Sequence, residues 1–145
     1  MRYCPIIRSA AVSDAAAICA ICSEELGYPC EIDLVQAKLT RLDPDREAVF
    51  VAVLDNAIVG YVHVEKYDVL FFETMANILG LAVRSDFQHN GVGRALISAA
   101  EKWASDNGIK VMRLNSGTER TGAHEFYRRM GYVSEKQQLR FTKKL

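Results

Sequence analysis

With 145 residues, half of them apolar, and a formal net charge of zero, the chain is sized for one domain, 1–145, that buries a core without metal or disulfide staples. No apolar run approaches the ~20 residues a bilayer-spanning helix needs, and Met1-Arg2-Tyr3-Cys4-Pro5 is not followed by a signal-peptide core and cleavage site; a cytoplasmic location is expected. The zero hides a division: residues 1–80 carry 6 Lys/Arg against 12 Asp/Glu, and residues 81–145 carry 12 against 6. Either the halves suit an anionic and a cationic ligand, or the charges are scatter on solvated faces.

In chain order, Tyr3 to Arg8 reads as a short strand, and Ser13 as the N-cap of a helix from Asp14 to about Glu25. Within that helix Cys19 and Cys22, three apart, share a face as small core residues. Together with Cys4 and Cys30 they form no second pair and have no close histidines, so neither a metal site nor a redox motif is expected. Pro29 disfavours helix at Tyr28 and ends the element. Glu31 to Leu42 repeats apolar residues at Ile32, Val35, Leu39 and Leu42, a second helix stopped by Asp43-Pro44-Asp45. Ala48 to Leu54, the turn Asp55-Asn56 and Ala57 to Tyr67 predict an antiparallel hairpin, and Met75 to Val83 a further strand.

Beyond it, Val92, Leu96, Ala99, Ala100 and Trp103 fall at helical spacing, with Asn107-Gly108 as a C-cap. Val111 to Leu114 reads as a strand and Ala123 to Met130 as a short helix closed by Gly131. Tyr132–Glu135 and Gln138–Lys143 predict a last hairpin. The order is βααβββαβαββ, without repeat or linker.

Between the strand ending Leu81-Ala82-Val83 and the long helix lies Gln88-His89-Asn90-Gly91-Val92-Gly93-Arg94. The first amides of a helix lack internal partners and carry the positive end of its dipole, which makes this junction an anion site. Gly91 and Gly93 allow close approach of phosphate and positive φ. No Lys-Ser or Lys-Thr follows, as a Walker loop requires, and Leu96 stands where a dinucleotide fold has its third glycine. The glycines alone also suit an ordinary helix-entry turn. In Arg120-Thr121-Gly122-Ala123-His124-Glu125-Phe126-Tyr127-Arg128-Arg129-Met130-Gly131-Tyr132, residues Ala123, Phe126, Tyr127 and Met130 share one helical face. Taken alone, Tyr127 is a core aromatic whose hydroxyl needs a partner.

The strand, Gln-x-x-Gly-x-Gly turn and helix, together with Ala-x-x-Phe-Tyr-x-x-x-Gly-Tyr and the element order, resemble the GNAT family of N-acetyltransferases over nearly the whole chain. The resemblance implies an α/β fold with a mixed, mostly antiparallel sheet of about seven strands and flanking helices. It also implies acetyl-CoA as cosubstrate, no metal, and acetyl transfer to a primary amine by direct attack in a ternary complex. Gln88, His89, Asn90, Gly91, Val92, Gly93 and Arg94 would hold the CoA pyrophosphate. Leu81 would donate its backbone N–H to the oxyanion, and Ala82 and Val83 would line the pantetheine, Val83 pairing with it as a strand would. Tyr127 would protonate the departing thiolate. Arg120 stands where many members have Asn, so it either reaches phosphate or is solvated.

The general base is open. Asn77 occupies the place of a glutamate in some members, which leaves a water held by Asn77, Glu65, Glu73 or His63; alternation puts His63 and Glu65 on one strand face, which is also what a solvated face looks like. By the resemblance, Glu24, Glu25, Tyr28, Glu31 and Asp33 frame the acceptor. The expected partner is a small-molecule or protein amine, without nucleic acid or membrane; a homodimer is open. A non-catalytic acyl-CoA-binding sensor or interaction module on the same fold is the alternative.

Overall fold

The structure is a computed structural model and describes residues 3–145. Its chain forms two compact units, Met1–Leu114 and Asn115–Leu145. The first holds a five-stranded sheet in the order β1-β2-β3-β4-β5: β1 Ile6–Ser9, β2 Glu47–Leu54, β3 Ala57–Tyr67, β4 Met75–Val83 and β5 Met112–Leu114. The first four strands pair antiparallel and β5 joins β4 in parallel, the mixed sheet that was expected. Asp55 and Asn56 both adopt positive φ, 49° and 63°, as the two-residue turn of a tightly twisted hairpin requires.

Three helices belong to this unit: α1 Ala15–Ile21, α2 Ile32–Thr40 and α3 Val92–Asp106. They cover opposite faces of the sheet. Ile18 and Ile21 of α1 pack with Val49, Val51, Tyr61 and Ala82, and Val35 and Leu39 of α2 adjoin the same cluster. Leu96 of α3 reaches the other face through Gly60, where an added Cβ would lie 3.0 Å from Leu96 Cδ1 and 2.9 Å from the Ala82 carbonyl. Gly108, at φ 74°, ends α3 as predicted.

The start of α1 differs from expectation. A 3₁₀ turn, Val12–Asp14, precedes it, and Ser13 makes no capping bond. Asp14 closes the turn instead: its carboxylate accepts the Ala11 N–H at 2.7 Å and pairs with Arg8 at 2.7 Å. Beyond Ile21 the helix widens into a π turn, Cys22–Leu26, ended by Gly27 at φ 73°.

The second unit contains α4, Thr121–Arg129. Gly131 at φ 94° closes it, with the Tyr132 N–H bonded to the Tyr127 carbonyl at 3.0 Å. The strand count is corrected: five strands are present among the described residues, not about seven, and no strand forms over the predicted hairpin of Tyr132–Glu135 and Gln138–Lys143. Val133, Leu139 and Phe141 are exposed. Alternation alone does not make a strand where no neighbouring strand takes up the hydrogen bonds and no surface buries the apolar side. No helix among the described residues is long and apolar enough to cross a membrane.

Candidate active site

β4 carries the first half of the site. Its pairing with β5 stops at Ile78↔Leu114, whereas its pairing with β3 continues to Val83. Leu79–Val83, which includes the expected Leu81, Ala82 and Val83, therefore has an edge that no strand occupies among the described residues. Such an edge accepts an extended ligand as a strand would be accepted.

The register slips by one between His63 and Val64, because Gly80 lies opposite His63 and Ile78 opposite Val64. Leu79 is the extra residue of this bulge, and its side chain is exposed. A bulge re-aims the side chains on its far side. Asn77 and Gly80, three apart, consequently share a face. No sequence signal marked the bulge, since it is a property of pairing, not of local pattern.

After β4 the chain turns through residues 84–91 and is braced throughout. Gln88 Nε2 donates to the Val83 carbonyl at 2.8 Å, and Asn90 Nδ2 donates to the Gln88 carbonyl at 2.9 Å. The Asn90 carbonyl accepts the Tyr3 N–H at 2.8 Å, the Tyr3 ring lies 5.4 Å from Phe87, and Arg84 stacks on the other partner of that pair at 5.2 Å while binding Asp86. His89 and Gly91 adopt φ of 65° and 97°, a region rare for a residue with a side chain. Gly93 does not; it lies in the first turn of α3, and only Gly91 of the two glycines needs positive φ. The first helical bond runs from the Ala95 N–H to the Gly91 carbonyl at 3.0 Å. The amides of Val92, Gly93 and Arg94 therefore have no partner within the helix, the arrangement that helix starts offer to anions.

On the α1-covered face, three rows of residues run across the sheet: Val51–Tyr61–Ala82, Val49–His63–Gly80, and Glu47–Glu65–Asn77–Arg113. The first is buried and apolar apart from the Tyr61 hydroxyl, to which Cys22 Sγ donates at 3.1 Å. Burial raises the Tyr61 pKa above the usual phenol range, and the Cys22 contact adds to it. An added Cβ at Gly80 would lie 2.7 Å from that hydroxyl. The third row is a polar chain in which Asn77 Nδ2 donates to Glu65 at 3.0 Å, Arg113 donates to Asn77 Oδ1 at 2.7 Å, and Arg113 lies over the Tyr67 ring. Between the rows, His63 Nε2 meets Glu47 Oε1 at 2.8 Å. His63 and Glu65 do share a face, as expected. Glu73 is exposed in the β3–β4 connection, apart from this array.

The residues expected at the acceptor divide. Glu24, Tyr28, Glu31 and Asp33 are exposed; Glu25 is half-buried in the π turn, with Oε2 enclosed and lacking a hydrogen-bond partner among the described residues. Behind the turn, the Cys30 thiol is pushed up to about 12 by burial and then by hydrogen bonding with Cys19 and Cys22. It is protonated at neutral pH and a poor nucleophile.

In the second unit, Tyr127 packs edge-on against Phe126 at 5.3 Å and against Tyr132 at 6.0 Å. Burial raises its pKa, and the charge of exposed Arg120, at the N-cap of α4, pulls the other way. His124 Nε2 lies 2.8 Å from the Gly117 carbonyl, and the Ser116 hydroxyl is buried without a partner among the described residues; no sequence pattern singled out either.

The profile of the Acetyltransferase (GNAT) family matches residues 15–132. An uncharacterized N-acetyltransferase of Chlorobaculum tepidum is 31% identical over 87% of this chain and 74% of its own length. An aminoglycoside N(6′)-acetyltransferase type 1 of Stenotrophomonas maltophilia is 32% identical over 88% of this chain and 86% of its own. Among solved structures, AAC(6′)-Iy in complex with the bisubstrate analogue CoA-S-monomethyl-acetylneamine superposes with a TM-score of 0.84 at 16% identity, covering 99% of this chain and all of that one.

Proposed function

Because the chain belongs to the Acetyltransferase (GNAT) family, we propose that it transfers the acetyl group of acetyl-CoA to a primary amine on a small cationic acceptor, by direct attack in a ternary complex. The observation that carries this is the segment Leu79–Val83, unpaired on its β5 side and running straight into the open amides at the start of α3. Pantetheine adds along that edge beside Ala82 and Val83, and the amides of the Gln88–Arg94 loop take the pyrophosphate. Arg120 adds positive charge for phosphate. No metal takes part.

The amine nitrogen attacks the carbonyl carbon, the Leu81 N–H stabilises the oxyanion, and the C–S bond then breaks. Tyr127 donates to the sulfur as it leaves. Its raised pKa keeps the phenol protonated at neutral pH, so it is available as a donor throughout that range. All four cysteines lie outside the Gln88–Arg94 loop and the Arg120–Tyr132 motif, which supports direct attack over an acetyl-cysteine route.

The aminoglycoside acetyltransferase relative supports a polycationic acceptor, and the carboxylates Glu25, Glu47 and Glu65 supply a complementary charge. Such an enzyme would work in the cytoplasm as a soluble catalyst. The test is thiol release from acetyl-CoA with an aminoglycoside, a polyamine and glutamate at low and high salt. The cations should be used best, with kcat/KM falling as salt rises. Tight acetyl-CoA binding without turnover of any amine would favour the sensor, the reading to which Asn77 in place of a glutamate lends support.

A further inference from the structure

We propose that His63, oriented by Glu47, is the general base that takes the proton from the attacking amine. The proposal rests on the acetyl-transfer reading above and names a residue which that reading leaves open.

The sheet register makes the assignment. His63 lies directly opposite Gly80, the residue before Leu81, on the face where the rows change from apolar to polar. Gly80 has no side chain, and the atoms nearest the space beside it belong to Tyr61, its hydroxyl first. His63 is about a third exposed, at 30% for its side chain, and so is open to a ligand. A carboxylate accepts and cannot donate, so the Glu47 contact at 2.8 Å fixes the proton on Nε2 and leaves the lone pair on Nδ1. No hydrogen bond to Nδ1 is formed among the described residues.

Two carboxylates flank His63 across the strands. Glu47 of β2 and Glu65 of β3 stand opposite each other in register, and like charges so placed repel. An imidazolium at His63, two residues from Glu65 and bonded to Glu47, relieves that repulsion. The other titratable or charged groups on this face include Tyr61 and Tyr67 of β3, Arg8 of β1, paired with Asp14, Arg113 of β5, held on Asn77, and Cys22 and Glu25 of the π turn. Glu65 is already engaged, because Asn77 donates to its Oε2 and Arg113 is the next link in that chain.

The step balances: the ammonium proton passes to Nδ1, the freed nitrogen lone pair forms the N–C bond, the C–S electrons leave with sulfur, sulfur takes a proton donated by Tyr127, and the second proton shed by the new amide nitrogen returns the Tyr127 phenolate to the phenol through water. The dyad ends the cycle protonated and returns its proton to water.

The experiment compares steady-state kinetics of the wild type, His63→Ala and Glu47→Gln with the best amine acceptor. His63→Ala should lose ~10²-fold or more in kcat with unchanged acetyl-CoA affinity, and added imidazole should restore part of it. Glu47→Gln should lose less, and should move the acidic limb of its pH profile to lower pH, because the carboxylate that stabilises the charged ring is gone. A merely structural Glu47 would leave that limb in place. An unchanged kcat in His63→Ala, with chemistry rate-limiting, overturns the dyad while acetyl transfer stands. If His63→Ala does not fold, an unmoved limb in Glu47→Gln overturns it. A wild type that turns over no amine removes the acetyl-transfer reading and the dyad with it.

Discussion

The two longer helices of the first unit, α3 and α2, cover opposite faces of one sheet and are held very differently. α3 spans fifteen residues and fully buries Val92, Leu96, Ile97, Ala100 and Ala104. α2 spans nine and fully buries none, with Val35 and Leu39 only half covered. Helical stability comes mainly from the packed face, so the side of the sheet under α3 is prebuilt and the side under α2 is loosely attached. Under the proposed function, that suits a cosubstrate of fixed structure on the first side and exchangeable amines on the second. Elements with few buried contacts open at low free energy.

The difference is broken most directly by cutting one side chain from each helix. Leu96→Ala should destabilise by about 2–5 kcal/mol, because Leu96 is fully enclosed against Gly60; Leu39→Ala should fall well short of that. Denaturant midpoints at constant slope give both numbers, and equal losses would erase the contrast.

Next in size, Gly91→Val tests whether the prebuilt side is built for an anion. A β-branched residue at φ 97° is strained and crowds the amides behind it. Acetyl-CoA affinity should fall by ~100-fold, equivalent to about 2.7 kcal/mol. Calorimetry on the folded variant checks this; an unchanged affinity would move the phosphate elsewhere.

Tyr127→Phe extends the comparison to the second unit. Only the hydroxyl is lost, so kcat should fall by ~10-fold or more while acetyl-CoA affinity holds. An unchanged rate, with chemistry limiting, returns Tyr127 to a packing role.

The smallest effect concerns the anchoring of α1 on the loose side. The Arg8 hydrogen bond, helped by the Ala11 N–H and opposed by burial, holds the Asp14 carboxyl below its usual range. Its stabilisation is therefore present above the unfolded value of about 3.9 and is lost as pH falls through the lower folded value. Asp14→Asn should cost about 1 kcal/mol at neutral pH, Arg8 being partly exposed. Thermal melts from pH 7 to pH 3 should show the gap closing with acid, and a constant gap would exclude the ion pair as its source.

The sequence was most readable where local chemistry decides the structure. Asp55-Asn56 sits at a turn needing two positive φ values, Asn107-Gly108 ends α3, and β4 begins and ends where its apolar run does. It failed where a distant partner decides. The Leu79 bulge depends on β3, and so does the meeting of His63 with Glu47, two strands brought into register only by folding. The π turn lies inside an unbroken helical pattern, so periodicity ran straight through Cys22. Val133, Leu139 and Phe141 alternate as a strand would, yet the described chain offers them no neighbour. Ser13 has the chemistry of a cap, but Asp14, with Arg8 within reach, takes the task.

The bond from the Tyr3 N–H to the Asn90 carbonyl closes a loop of more than half the chain. Contacts so far apart in sequence form late in folding, after the entropy of closing the intervening chain has been met. During synthesis Tyr3 leaves the ribosome long before the turn it braces, and residues 84–91 gain this support only once they too have been made. A ligand that binds the finished turn would then act on the final step of maturation, slowing its reversal and lengthening the lifetime of the native chain.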